Sequence, residues 1–218
     1  MSANQRIRGA SAPCDAAFVT RWLRGCAAQI AAHRDYLTQL DAAVGDADHG
    51  VNLDRGFVAV GSVLEAADGL PPGELLVQAG STLVLRVGGA AGPLYGTAFR
   101  EAGRCLGTAR TFGVAHLTEA LEAALQGVTA LGAAVEGDKT MVDAWLPAIR
   151  ALRDQAGAAL PDALHAATVA AEAGAAATTA MEARKGRASY LGPRSVGHQD
   201  PGATSTALLF LALERAAG

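Results

Sequence analysis

The sequence predicts an all-α fold, an up-and-down array of eight antiparallel amphipathic helices in a single domain over residues 1–218. Two observations lead there. Apolar residues recur at three- and four-residue intervals along almost the whole chain, and no stretch alternates in the manner of a half-buried strand. Half of the residues are apolar but only 5% are aromatic, with 26 glycines and much alanine; small side chains of this kind let helices pack closely. The length suffices for one sizeable core.

The first helix is expected over about Asp15 to Leu40, with Phe18, Trp22, Cys26, Ile30, Leu37 and Leu40 on or near one face. Residues 1–12 lack that pattern and are expected to be flexible. The second, about Asn52 to Ala67, carries Leu53, Phe57, Val60 and Leu64 at helical spacing. Leu76, Leu83 and Leu85 mark the third, about Gly73 to Arg86, and Leu94, Ala98 and Cys105 the fourth, about Pro93 to Thr108. The fifth runs from Leu117 to about Leu131 through Leu121, Leu125 and Val128. The last three cover about Thr140 to Gly157, Pro161 to Ala183 and Gly202 to Ala217. Short joints without an internal linker make these a single array.

Composition closes off several classes of function. The net charge is −3, so no basic surface of the kind nucleic acids require is expected. Cys14, Cys26 and Cys105 are odd in number and widely spaced; they form neither a disulfide framework nor a zinc pattern and point to a reducing, cytoplasmic setting. No long uncharged apolar run or secretory leader stands out. The Ala-rich stretch around Ala170 to Ala180, broken by Glu172 and Gly174, reads as a packed helix and not as a membrane span.

The joints are of two kinds. The second, fourth and sixth (D-G-L-P-P-G, G-T-A-R-T-F-G and Q-A-G-A-A-L-P) carry ordinary turn chemistry. The first, third, fifth and seventh hold the polar and glycine-rich segments. With neighbouring helices running up and down, the odd joints all lie at one end, so these four define one rim.

The first joint is L-D-A-A-V-G-D-A-D-H-G-V-N, with Asp41, Asp46, Asp48 and His49. Three carboxylates this close repel one another unless a cation holds them, and oxygen ligands suit a hard ion, Mg²⁺ or Ca²⁺. The calcium-loop spacing fails, because Gly50 occupies a ligand position and Phe57 stands where the closing Glu belongs. Gly45, Gly50 and Asn52 keep the backbone open to a ligand. Magnesium shared with phosphate is the reading. The third joint, V-G-G-A-A-G-P-L-Y-G-T from Val87 to Thr97, is either a structural glycine joint or a cradle whose N–H groups converge on an anion. No G-K-[ST] follows, so it is not a Walker loop.

The fifth joint is G-A-A-V-E-G-D-K-T-M, from Gly132 to Met141. Asp138 or Thr140 is placed to cap the next helix, Lys139 either screens phosphate or is solvated, and Met141 serves the core or an adenine ring. The seventh, from Ala183 to Gly202, gathers Arg184, Lys185, Arg187, Arg194, His198 and Asp200. Joints of this length inside compact domains are functional or disordered. Arginine suits bidentate phosphate contact, and His198 is a proton donor or a loop hydrogen-bonding residue.

Together the four joints resemble the L-subunit family of dihydroxyacetone kinases, the nucleotide-binding component of the bacterial phosphotransferase-linked enzyme. The resemblance is carried by G-D-A-D-H-G-V-N-L with Leu40-Asp41, by G-G-A-A-G-P-L-Y-G-T, by G-D-K-T-M-V-D-A-W-L-P and by G-R-A-S-Y-L-G-P-R-S-V-G-H-Q-D-P-G-A-T-S. Trp22 and Asp35-Tyr36-Leu37-Thr38 match in the first helix, so the likeness runs in order over nearly the whole chain. It implies a barrel of eight antiparallel helices with the nucleotide, ADP or ATP, on one rim. The family's metal ligands fall on Asp41, Asp46 and Asp48, which would hold two Mg²⁺ ions bridging the phosphates. Its nucleotide contacts fall on His49, Gly50, Val51 and Asn52, on Ala90 and Ala91, on Gly132 and Met141, and on Arg187, Asp200, Pro201 and Gly202. No covalent catalytic residue falls on this chain; His49 and Arg187 would stabilise the phosphoryl group. Many relatives have G-G-A-S-G-P where this chain has Ala91, which removes a hydroxyl but leaves the N–H.

The implied reaction is phosphorylation of dihydroxyacetone or a related ketose. A separate K subunit holds the ketone covalently through a histidine, and an M subunit with a phosphohistidine recharges ADP in place. In the other form of the family ATP is consumed, with a tetrulose as an alternative acceptor. Expected partners are these two subunits, with a homodimer left open and neither nucleic acid nor membrane. Two other readings are a non-catalytic nucleotide-binding regulatory module and a structural helical protein with an incidental acidic joint.

Overall fold

The computed structural model describes residues 14–218; the expectation for residues 1–12 lies outside the described residues. Among those described, nine α-helices follow in order: α1 (Ala16–Ala32), α2 (Arg34–Val44), α3 (His49–Glu65), α4 (Pro72–Arg86), α5 (Ala91–Leu106), α6 (Val114–Gly132), α7 (Val142–Asp154), α8 (Leu160–Ala177) and α9 (Pro201–Ala216). α1 packs on α3, each later helix packs on the next, and α9 returns to α1, so eight helices close a ring, with α2 lying on α3 and α9. The all-α expectation holds.

The expected first helix is in fact two. At His33 the backbone leaves helical geometry (φ −108°, ψ 10°), and the imidazole Nδ1 lies 2.8 Å from the Gln29 carbonyl. The His33 N–H also reaches that carbonyl, at 3.1 Å, so ring and backbone share one acceptor where α1 ends. Two further departures are small. A two-residue antiparallel bridge joins Cys14–Asp15 (β1) to Thr111–Phe112 (β2), and the helix expected to reach Ala183 ends at Ala177 in a 3₁₀ turn over Thr178–Ala180.

Small residues set the helix spacing. A Cβ on Gly73 would lie 2.5 Å from the Gly103 carbonyl oxygen, and one on Gly80 2.5 Å from that of Gly96. α4 and α5 therefore touch backbone to backbone at two places. Larger side chains fill the middle of the ring. Trp22 packs on Phe99 and Trp145 on Phe210, and their indole N–H groups donate to the Leu209 and Leu121 carbonyls. Cys14 and Cys26 are buried free thiols and Cys105 is exposed. No helix among the described residues is long and apolar enough to cross a membrane.

Candidate functional site

Four helices begin at one cavity of about 290 Å³, whose wall takes His49 and Asn52 from α3, Ala91 from α5, Val142 from α7, and Pro201 and Gly202 from α9. That convergence is what an up-and-down ring requires of its odd joints. Asp41, Asp46, Asp48, Ala90, Gly132, Met141, Arg187 and Asp200 line the same cavity. Gly50 and Val51 do not. Gly50 is buried against α2, where a Cβ would lie 2.0 Å from the Arg34 carbonyl oxygen, and Val51 is half-exposed.

Asp41 belongs to the last turn of α2 and not to the joint after it. Its Oδ2 accepts the N–H groups of Asp48 (2.8 Å) and His49 (3.2 Å), which ties the start of α3 to the end of α2. A side chain at Gly45 would put a Cβ 2.1 Å from Asp41 Oδ1, so glycine keeps that oxygen free. Ala47 adopts φ 61°, a left-handed conformation that costs an L-residue on the order of 1 kcal/mol and that functional sites retain. Together these bring one carboxylate oxygen from each of Asp41, Asp46 and Asp48 within 4.8 Å of one another. The nearby counter-charge is Arg187, whose Nη2 lies 2.9 Å from Asp46 Oδ2. Three carboxylates against one guanidinium leave the cluster negative, and an all-oxygen donor set of this size fits a hard divalent cation.

The wall beside the cluster offers N–H groups. Neither Asp48 nor Ala90 caps its helix with its own side chain; Asp41 takes the His49 N–H, and the other first-turn donors carry the positive end of the helix dipole. Gly89 (φ 64°) turns the third joint into α5. A Cβ on Gly88 would lie 3.0 Å from Asn52 Nδ2, so this joint rests on the first turn of α3. The uncapped start of α5 beside the first turn of α3 suits a phosphate.

His49 turns inward. Its Nε2 lies 2.9 Å from Ser205 Oγ, which lies 2.7 Å from the Tyr95 hydroxyl, and Tyr95 also donates to the Gly202 carbonyl. This chain knits α3, α5 and α9 together. Burial lowers the His49 pKa against the pull of Asp41 and Asp48. At the start of α9, Asp200 Oδ2 accepts the Ala203 N–H at 2.7 Å. Burial pushes the Asp200 carboxyl up to about 7, with the Ala203 N–H and the Lys139 charge opposing.

The fifth joint differs from expectation. Lys139 is not solvated: it is 1% exposed and lies in the cavity wall, with its ammonium donating to the carbonyls of Thr178, Met181 and His198. Thr140 Oγ1 accepts the Val142 N–H, whereas Asp138 serves Val135. Met141 is both buried in the core and part of the cavity wall. In the last joint a 3₁₀ stretch, Arg187–Ser195, bends at Gly192 (φ 53°). The His198 side chain is exposed.

Comparison with known proteins bears on this rim. Residues 43–215 match the family model of the DAK2 domain. The chain belongs to the DAK2 domain family. The ADP-binding subunit DhaL of the PEP-dependent dihydroxyacetone kinase of Escherichia coli (strain K12) is 43% identical over 201 residues, 91% of this chain and 96% of that subunit. L-erythrulose 1-kinase of Mycolicibacterium smegmatis is 37% identical over 185 residues, 81% of this chain and 31% of that enzyme. The crystal structure of the dihydroxyacetone kinase from C. freundii in complex with AMP-PNP and Mg²⁺ superposes with a TM-score of 0.73 at 30% identity. It aligns with 99% of this chain, which spans 36% of that kinase.

Sequence reasoning missed several residues of this DAK2 rim. Asp143, buried in the first turn of α7, accepts the N–H groups of Gly137 and Thr140 and so shapes the fifth joint. An acidic residue three positions after Thr140 was the available signal. Ser205 and Tyr95 hold His49 from far away in sequence; both lie inside the motifs that carry the resemblance, but nothing in the sequence pairs them with His49.

Proposed function

We propose that this chain, as one domain over residues 1–218, is the nucleotide-binding L subunit of a kinase that phosphorylates dihydroxyacetone or a related ketose. One juxtaposition carries the reading: three carboxylates suited to a hard cation share a cavity with the first turn of α3 and the uncapped N-terminus of α5. A magnesium–nucleotide complex needs both, because its cations take oxygen ligands while its phosphates take N–H donors.

Asp41, Asp46 and Asp48 would hold two Mg²⁺ ions, which when bound neutralise charge on the phosphoryl oxygens. The N–H groups of Ala90 and Ala91 would orient the phosphates beside the His49 and Asn52 side chains on the same wall, since the N–H groups of His49 and Asn52 already serve Asp41 and the Asp48 carbonyl. Arg187 would leave Asp46 for a phosphate, with His49 and Arg187 holding the phosphoryl group in transfer. Gly132 and Met141 would give the adenine an apolar wall, and Asp200 would fix Pro201 and Gly202 beside it. Positioning and electrostatics then supply most of the rate, as is general for phosphoryl transfer.

The 43% identity to an ADP-binding subunit of a PEP-dependent kinase favours ADP that stays bound and is recharged by an M subunit, with the ketone held on a K subunit. The 37% identity to L-erythrulose 1-kinase supports a second reading, in which ATP is consumed and the acceptor is a tetrulose. Mass spectrometry of the co-purifying nucleotide, followed by transfer assays with both partners, decides. Retained ADP and ketose phosphate made only from phosphorylated M subunit fit the first reading; turnover with ATP and exchange of labelled nucleotide fit the second. No transfer from either donor overturns both.

A further inference from the structure

Lys139 is one of two lysines in the chain, and it is the fully buried one. Its backbone is held at φ 62°, a conformation that residues with a Cβ adopt only when the surroundings demand it. A lysine ammonium has three N–H donors, and each meets a carbonyl oxygen: Thr178, Met181 and His198. Thr178 and Met181 stand where the chain leaves α8, and His198 where it returns to α9. The carbonyls therefore come from the two ends of one excursion. At the same neck Gly197 N–H donates to the Thr179 carbonyl, Arg184 N–H donates to the Asp138 carbonyl, and Asp200 N–H donates to Thr178 Oγ1. At its tip the excursion carries Arg187 to Asp46.

A buried charge is costly unless its donors are satisfied, and packing alone would be served by methionine or leucine. Burial pulls the Lys139 pKa down and Asp200 opposes; three carbonyl acceptors favour the charged form further. We propose that Lys139 is a positioning residue, an internal cation that closes the neck of the last joint and thereby sets where Arg187 and the start of α9 stand at the cavity. Lys139 lies in the cavity wall, but its three N–H donors are taken by these carbonyls. It acts through the joint it holds, and it links that joint to the one bearing Met141.

The test compares the full chain with Lys139→Met by hydrogen-exchange mass spectrometry without nucleotide. Amides in residues 183–199 are expected to exchange at least ~tenfold faster, the loss of charged hydrogen bonds at the neck, while α4 and α5 exchange as in the parent. Mn²⁺ binding without nucleotide is expected not to weaken, and Mg–ADP affinity to fall ~tenfold or more. Unchanged exchange in 183–199, or faster exchange throughout the molecule, overturns the proposal. If Lys139→Met does not fold, Lys139→Gln is measured in the same way; failure of both makes Lys139 a general requirement of the core and also overturns it. The ADP arm rests on the function proposed above, the exchange arm does not. A parent chain that binds no Mg–ADP would therefore remove that function and leave exchange to decide the role of Lys139.

Discussion

Removing the Arg187 guanidinium should move two affinities in opposite directions. Arg187 and Asp46 pair at 2.9 Å with side chains 65% and 37% exposed, and an exposed ion pair is worth roughly 0.2–1 kcal/mol. A cation entering the Asp41–Asp46–Asp48 cluster must displace that pair. Arg187→Ala should therefore tighten metal binding without nucleotide, by at most about fivefold. With nucleotide the balance reverses, because the arginine is then the phosphate partner. A hydrogen bond to a charged group contributes roughly 1.5–3 kcal/mol, so Mg–ADP affinity should fall about ten- to a hundredfold. Mn²⁺ titration followed by electron paramagnetic resonance reads the first, and calorimetry with Mg–ADP the second. Circular dichroism confirms that the variant is folded. If both affinities fall together, or neither moves, Arg187 does not exchange between carboxylate and phosphate.

Three other outcomes can be checked on the purified chain. Asp46→Ala should weaken Mg–nucleotide binding by well over ~tenfold, a loss that even a residue supporting a metal ligand can cause. The thermal midpoint of its metal-free form should not drop, since repulsion among the carboxylates is relieved; a large drop would show that Asp46 is structural. Gly50→Ala places a Cβ 2.0 Å from the Arg34 carbonyl oxygen; overpacking of this kind costs about 1–3 kcal/mol, or roughly 2–12 °C in the melting temperature of a domain this size. An unchanged melt would mean that α2 and α3 move apart at no cost. Asp200 supplies a pH dependence. Its carboxyl is raised from 3.8 to about 7 in the folded chain, so the folded state binds the proton that the unfolded state has already released. Stability should fall as pH rises from about 4 to about 7, by up to about 1.4 kcal/mol per pH unit from this group. Denaturant titrations of Asp200→Asn should lack that slope, and a parallel profile in parent and variant would contradict the assignment.

The ring and its rim were legible because both rest on local signals. Leu53, Phe57 and Val60 repeat at helical spacing and are all buried, and Asp41, Asp46 and Asp48, crowded in sequence, do bring their carboxylates within 4.8 Å of one another. The split of the first helix was not legible. It lies in the backbone conformation of one residue, His33, which sits in a run whose apolar periodicity continues unbroken. The burial of Lys139 was not legible for a similar reason: its three carbonyl partners lie 39, 42 and 59 residues further on, and carbonyls leave no trace in residue type. The inward orientation of His49 likewise depends on Ser205, 156 residues away. Sequence spacing thus found the groups that carry charge at the rim, while the groups that aim them came only with the fold.

Calorimetric titration of ADP into the purified chain, with magnesium and then with chelator, bears most directly on the cavity as a magnesium–nucleotide site. ADP is expected to bind when magnesium is present, to lose measurable binding when it is chelated, and to lose it again in Asp48→Asn with the helical spectrum unchanged. Binding that survives the removal of magnesium, or no binding under either condition, would contradict a site in which these carboxylates hold the nucleotide through a metal.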